Sequence, residues 1–190
     1  VFLYTDASAK DAGLAGNVQA LARAKKVRMF FALFGSCSPY DPAYFSLANS
    51  SGGQVFILRR AEAGEVTRLA DVLSRNDAVD IESAAGVLGA TPLQHRFSVD
   101  ASLRKLTVSF SNVSGSSMVL KRPDGTAVQA GQAGVETINL SNATVFTVSA
   151  PAIGRWSAEV SGAPGGEYSL LVGGESELSL DEFRFVEQGG

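Results

Sequence analysis

Asp6 stands where the apolar run Val1-Phe2-Leu3-Tyr4 ends, and a carboxylate at such a place can hold a metal ion or a polar ligand. In open α/β sheets, ligands bind just outside the carboxyl ends of the strands. Other groups able to do chemistry are few: one cysteine, Cys37, and one histidine, His95. A thiol or hydroxyl nucleophile needs a base within hydrogen-bond reach, and His95 lies far along the chain, where it reads as an ordinary strand residue beside Arg96. Gly35-Ser36-Cys37-Ser38-Pro39 is not a G-x-S-x-G elbow. As an aspartyl nucleophile, Asp6 would want a second Asp two positions on, where Ser8 stands, or a lysine ending a later strand. Leu58-Arg59-Arg60 offers arginines there, which deliver charge differently. Zinc-spaced ligand pairs and H-E-x-x-H are absent, and Pro123-Asp124-Gly125 reads as a hairpin turn, not a calcium loop. The residue types favour binding over catalysis.

Asparagine carries the evidence on compartment. Four of the six, Asn49, Asn112, Asn139 and Asn142, sit in N-x-[ST] acceptor sequences, which reads as an exported glycoprotein. The single Cys37 cannot form an internal disulfide and reads as buried or bonded to a partner elsewhere. A net charge of -3 supplies no basic field for nucleic acid. The longest apolar run, Val27 to Phe34, includes Arg28 and is too short to span a bilayer.

The elements that must position these residues change character along the chain. Up to residue 75 the pattern reads strand, helix, strand, helix, strand, helix. Val1–Thr5, Val27–Phe34 and Gln54–Leu58 are the strands. Leu14, Val18 and Leu21 mark one apolar face of the first helix, which ends near Lys25-Lys26. Asp41-Pro42 starts the second helix, Tyr44, Phe45 and Ala48 face the sheet, and Gly52-Gly53 stops it. Val66, Leu69 and Leu73 form the third apolar stripe. Alternation of this kind predicts right-handed βαβ units and a parallel sheet. The stretch 76–90 is weakly periodic and reads as a linker. From 91 to 190 the period becomes two, with Phe97/Val99, Leu106/Val108/Phe110, Phe146/Val148, Trp156/Ala158/Val160 and Tyr168/Leu170/Val172, closed by Phe183/Phe185. That spacing predicts an antiparallel sandwich of the immunoglobulin or fibronectin kind, with Trp156 and Tyr168 inside.

The segment Phe2-Leu3-Tyr4-Thr5-Asp6-Ala7-Ser8-Ala9-Lys10-Asp11 resembles the fourth strand and following loop of a von Willebrand factor A domain. Phe34-Gly35-Ser36-Cys37 and Ser51-Gly52-Gly53-Gln54-Val55-Phe56 resemble that domain's fifth-strand end and sixth-strand entry. The subfamily resembled is that of hemicentin and von Willebrand factor A domain-containing protein 7, in which an A domain precedes a β-rich module. Gly154-Arg155-Trp156 and Tyr168-Ser169-Leu170 resemble that module. The resemblance implies the C-terminal half of a doubly wound parallel sheet over 1–75, followed by the sandwich. It further implies that Asp6 belongs to a metal-ion-dependent adhesion site. In that site the Asp contacts Mg²⁺ through water, and a D-x-S-x-S loop and a Thr add further ligands. This chain has no D-x-S-x-S and carries Ala7 where the family commonly has Gly, so Mg²⁺ would be held only if a missing first half completed the site. The implied protein is secreted, binds an acidic residue of a protein ligand, and is not an enzyme. A structural module with a decayed metal site, or the non-catalytic part of a secreted metalloprotease, is the alternative. The apolar Val1–Thr5 edge predicts self-association or a companion chain.

Overall fold

The computed structural model describes residues 1–34, 40–73, 78–113 and 115–176. Its first part is β1 (Phe2–Thr5), α1 (Ala15–Lys25), β2 (Phe30–Phe34), α2 (Pro42–Ser51), β3 (Val55–Leu58) and α3 (Val66–Leu73). The three strands pair in parallel in the order β1-β2-β3. Local chemistry sets the limits of α2. Asp41 Oδ1 accepts from the Ala43 N–H at 2.9 Å, Pro42 occupies the first turn, and Gly52 ends the helix at φ +73°. Gly53 is required for another reason: a Cβ there would lie 1.8 Å from the Met29 carbonyl oxygen, so only glycine lets β3 start so close to β2.

The sheet's two faces are covered differently. Phe31, Leu33 and Val55 pack with Met29, Ala22 of α1, and Tyr44 and Ala48 of α2. Phe30, Ala32, Phe56 and Leu58 pack on Val66, Leu69 and Leu73 of α3 and on Ile138, Ala143, Val145 and Leu171 of the second part. The doubly wound sheet expected over 1–75 is therefore not what forms. The strand order runs one way with no reversal, and a β-sheet supplies much of the layer on one face. The apolar face read on the first helix meets solvent. Leu14, Val18 and Leu21 are 55%, 39% and 60% exposed, and Ala22 is the helix's buried residue.

The second part comprises β4 (Ala78–Val87), β5 (Leu93–Val99), β6 (Leu103–Asn112), β7 (Ser117–Lys121), β8 (Val135–Leu140), β9 (Ala143–Ser149), β10 (Gly154–Ser161) and β11 (Glu167–Ser176). β4 lies inside the stretch read as a linker. The strands form two antiparallel sheets, β5-β10-β7 and β4-β11-β6-β9-β8. The first and last described strands of the sandwich pair with each other, and the first four members of the larger sheet are the first, eighth, third and sixth described strands in chain order. That is jelly-roll connectivity, not the immunoglobulin or fibronectin arrangement expected from strand spacing. Trp156, Leu106, Val108, Leu120, Val160 and Leu170, each no more than 0% exposed, fill the space between the sheets. Trp156 Nε1 donates to the Ala152 carbonyl at 2.8 Å, which satisfies the indole. The strand expected at Phe183/Phe185 lies outside the described residues.

Candidate functional site

Asp6 is exposed in the bend that follows β1, where the Thr5 hydroxyl accepts from the Ala7 N–H at 3.1 Å. Among the described residues, no group of three His, Cys, Asp or Glu side chains could hold a metal ion. Mg²⁺ demands near-octahedral oxygen coordination, and the described carboxylates do not complete such a site with Asp6. Cys37 lies outside the described residues.

The acceptor asparagines fall in different settings. Asn139 on β8 is exposed and Asn142 in the following turn is half-buried. Asn49, in the last turns of α2, is exposed. Asn112, at the end of β6, is 7% exposed and donates from Nδ2 to the Ser116 carbonyl at 3.1 Å. A glycan on Asn112 would require that bond to break and the side chain to swing out. Its Oδ1 is buried with no hydrogen-bond partner among the described residues.

Asn49 and Asn112 meet in one cleft of about 230 Å³ between the layers. Phe45, Asn49 and Ile57 line it from the parallel-sheet side, and Val87, Asn112 and Glu167 from the sandwich. Nothing in the sequence pairs these walls. They come together because the outer face of the larger sandwich sheet is buried under β3 and α3.

Three polar ties hold that arrangement. Gln54 is 0% exposed; its Nε2 donates to the Ser169 carbonyl at 3.0 Å and the Ser109 carbonyl at 3.3 Å, and its Oε1 accepts from the Ser109 hydroxyl at 2.7 Å. Glu62 Oε1 accepts from the Ser141 N–H at 2.7 Å and hydroxyl at 2.6 Å, while Oε2 accepts from the Arg59 N–H at 2.8 Å. Desolvation would raise the Glu62 carboxyl, but the hydrogen bonds from Ser141 and Arg59 and the Arg59 charge outweigh it and hold the group below its ordinary value. Arg28 pairs with Asp80 at 2.6 Å.

A second polar cluster lies at the open edge of the sandwich. His95 Nδ1 is 3.2 Å from Glu82 Oε1, and Nε2 is 2.9 Å from the Tyr168 hydroxyl. One tautomer satisfies both contacts, with Nδ1–H donating to Glu82 and Nε2 accepting from Tyr168. Carboxylate, imidazole and hydroxyl in a row have the form of a catalytic relay, yet the electrostatics run the wrong way. Burial, and then the Glu82 charge, push the Tyr168 phenol up, whereas an activated nucleophile needs the opposite. The cluster closes the core edge with satisfied polar groups.

Comparison with known proteins decides the family. The profile described as hemicentin galactose-binding domain-like matches residues 78–177. The chain belongs to that family. The matched residues span the described sandwich, and a galactose-binding-like module replaces the immunoglobulin-like expectation. Hemicentin-1 of Mus musculus is 29% identical over an alignment of 194 residues, covering 97% of this chain and 3% of that protein. Hemicentin-1 of Homo sapiens is 29% identical over 189 residues, with the same 97% and 3% coverage. The chain thus spans about 3% of the length of these relatives, and the similarity runs through both parts of the fold. A Bacillus licheniformis lipase in propeptide form aligns over 87% of this chain and 44% of that one at 11% identity, and its TM-score of 0.38 supports no inference. No described helix is long and apolar enough to cross a membrane.

Proposed function

We propose that this chain is a non-catalytic module of an extracellular matrix or adhesion protein, in which the sandwich and the parallel sheet act as one body. The observation that carries this reading is the extent of similarity to hemicentin-1, 97% of the chain, across two layers that share an apolar core. Contacts with other molecules are then made by surfaces. The open edge of β1, with Val1, Leu3 and Tyr4 at 72%, 41% and 48% exposed, and the stripe of α1 suit a companion chain or a second copy. A Mg²⁺-dependent contact with an acidic residue of a protein ligand would need metal ligands from outside this chain. A purely structural role is the second reading, favoured by there being no metal-binding group of carboxylate, imidazole or thiol side chains among the described residues. Locating the native protein with an antibody on unpermeabilised tissue tests the proposal. Matrix-retained signal is the expected result, and a cytosolic protein would overturn it.

A further inference from the structure

We propose that the cleft between the layers seats the first N-acetylglucosamine of an N-glycan carried by Asn49. The inference rests on the extracellular reading above, because only an exported chain meets the glycosylation machinery.

Asn49-Ser50-Ser51 is an acceptor sequence, and Asn49 is exposed at the cleft wall, so a sugar joined to its amide starts at the cavity. Phe45 precedes it by four residues on α2 and therefore shares its face of the helix. An acetamido sugar has apolar ring faces and a rim of hydroxyl and amide donors. Phe45 offers an aromatic surface, and Val87, 58% exposed on the opposite wall, offers an aliphatic one. Glu167 supplies an acceptor on that same wall, beside Asn112. The volume, about 230 Å³, falls below the roughly 300–1,000 Å³ of pockets for drug-sized ligands and suits one sugar residue, not an oligosaccharide. Asn139 and Asn142 do not line the cleft. Seated there, the sugar bridges α2 to β4 and β11 and acts as a covalently tethered wedge between the layers.

The test uses the full chain secreted from a eukaryotic host, alongside peptide mapping of the native protein. The forms compared are fully glycosylated, trimmed by an endoglycosidase to one N-acetylglucosamine, Asn49→Gln, Phe45→Leu, and the double variant. Mapping is expected to find the glycan on Asn49, and the trimmed form to keep the Tm of the untrimmed one. Asn49→Gln should lower Tm by about 2–4 °C and speed hydrogen exchange over 85–87. In the Phe45→Leu background, which lacks the aromatic face, Asn49→Gln should change Tm little. Asn139→Gln should lose its own glycan without altering exchange at 85–87. An unmodified Asn49 in an extracellular native protein would overturn the seat and leave the extracellular reading standing. A glycan on Asn49 with Tm and exchange unchanged by Asn49→Gln would place the sugar in solvent and overturn it equally.

Discussion

The parallel sheet meets its surroundings in two contrasting ways. On the side towards the sandwich, Phe56 and Leu58 are 0% and 2% exposed, and polar atoms beside them are paired across the junction. At the β1 edge the last strand carries Leu3 and Tyr4 at 41% and 48% exposed, and the neighbouring connection through α1 turns Leu14 and Leu21 to solvent. Both regions carry large apolar side chains. What separates them is whether a partner layer of complementary shape is present, which is a property of the fold and not of the strand itself. The sandwich side behaves as interior, whereas the β1 side leaves apolar side chains exposed.

Four substitutions grade that contrast. Phe56→Ala empties the core shared by the two layers and should cost about 3–5 kcal/mol. Urea unfolding followed by Trp156 fluorescence and far-UV CD should shift as one transition. Two separate transitions would mean that the layers are independent and would dissolve the comparison. Gln54→Ala strips partners from buried groups on β6 and β11, with an expected loss of about 1–3 kcal/mol. Because Gln54 does not titrate, the loss should be the same at neutral and mildly acid pH.

The Glu62 tie differs in this respect. Its folded carboxyl sits below the ordinary value of 4.5, so its stabilisation is complete above that pH and is lost as pH falls through the lowered value. Glu62→Gln should therefore be less stable than the parent at neutral pH by a smaller amount than Gln54→Ala. The gap should close on acidification below about pH 4.5; a gap constant with pH would show that the charge plays no part. Leu3→Lys, on the open side, should change stability by within about 0.5 kcal/mol while reducing any self-association seen by analytical ultracentrifugation. A large loss of stability there would mean that the edge is already covered.

Local features were legible in the sequence, and long-range ones were not. Asp41, Pro42 and Gly52 announce the ends of α2 because each acts within a few residues. The inward positions Trp156, Ala158 and Val160 follow from alternation alone. β4 escaped because Ser83-Ala84-Ala85-Gly86 presents small residues, so its period carries no hydrophobic contrast, although it pairs along much of β11. The stripe at Leu14, Val18 and Leu21 was legible as an apolar face, but its exposure was not, since periodicity reports that a face is apolar and not what lies opposite. Gln54 looked like an unremarked strand entry; its partners stand 55 and 115 positions away. The doubly wound sheet and the immunoglobulin-like sandwich failed for a shared reason, in that strand spacing counts strands but does not order them.

The pairing of Ala78 with Glu175 puts the entrance to the sandwich beside the end of β11. The first and last described strands of the sandwich thus have these two ends side by side. Tension applied between those two points would pull neighbouring strands apart at one end, breaking the β4–β11 ladder bond by bond like a zip. The shared load of a shearing geometry would be absent, so mechanical resistance has to come from the layer of helices and parallel strands clamped on the sheet's outer face.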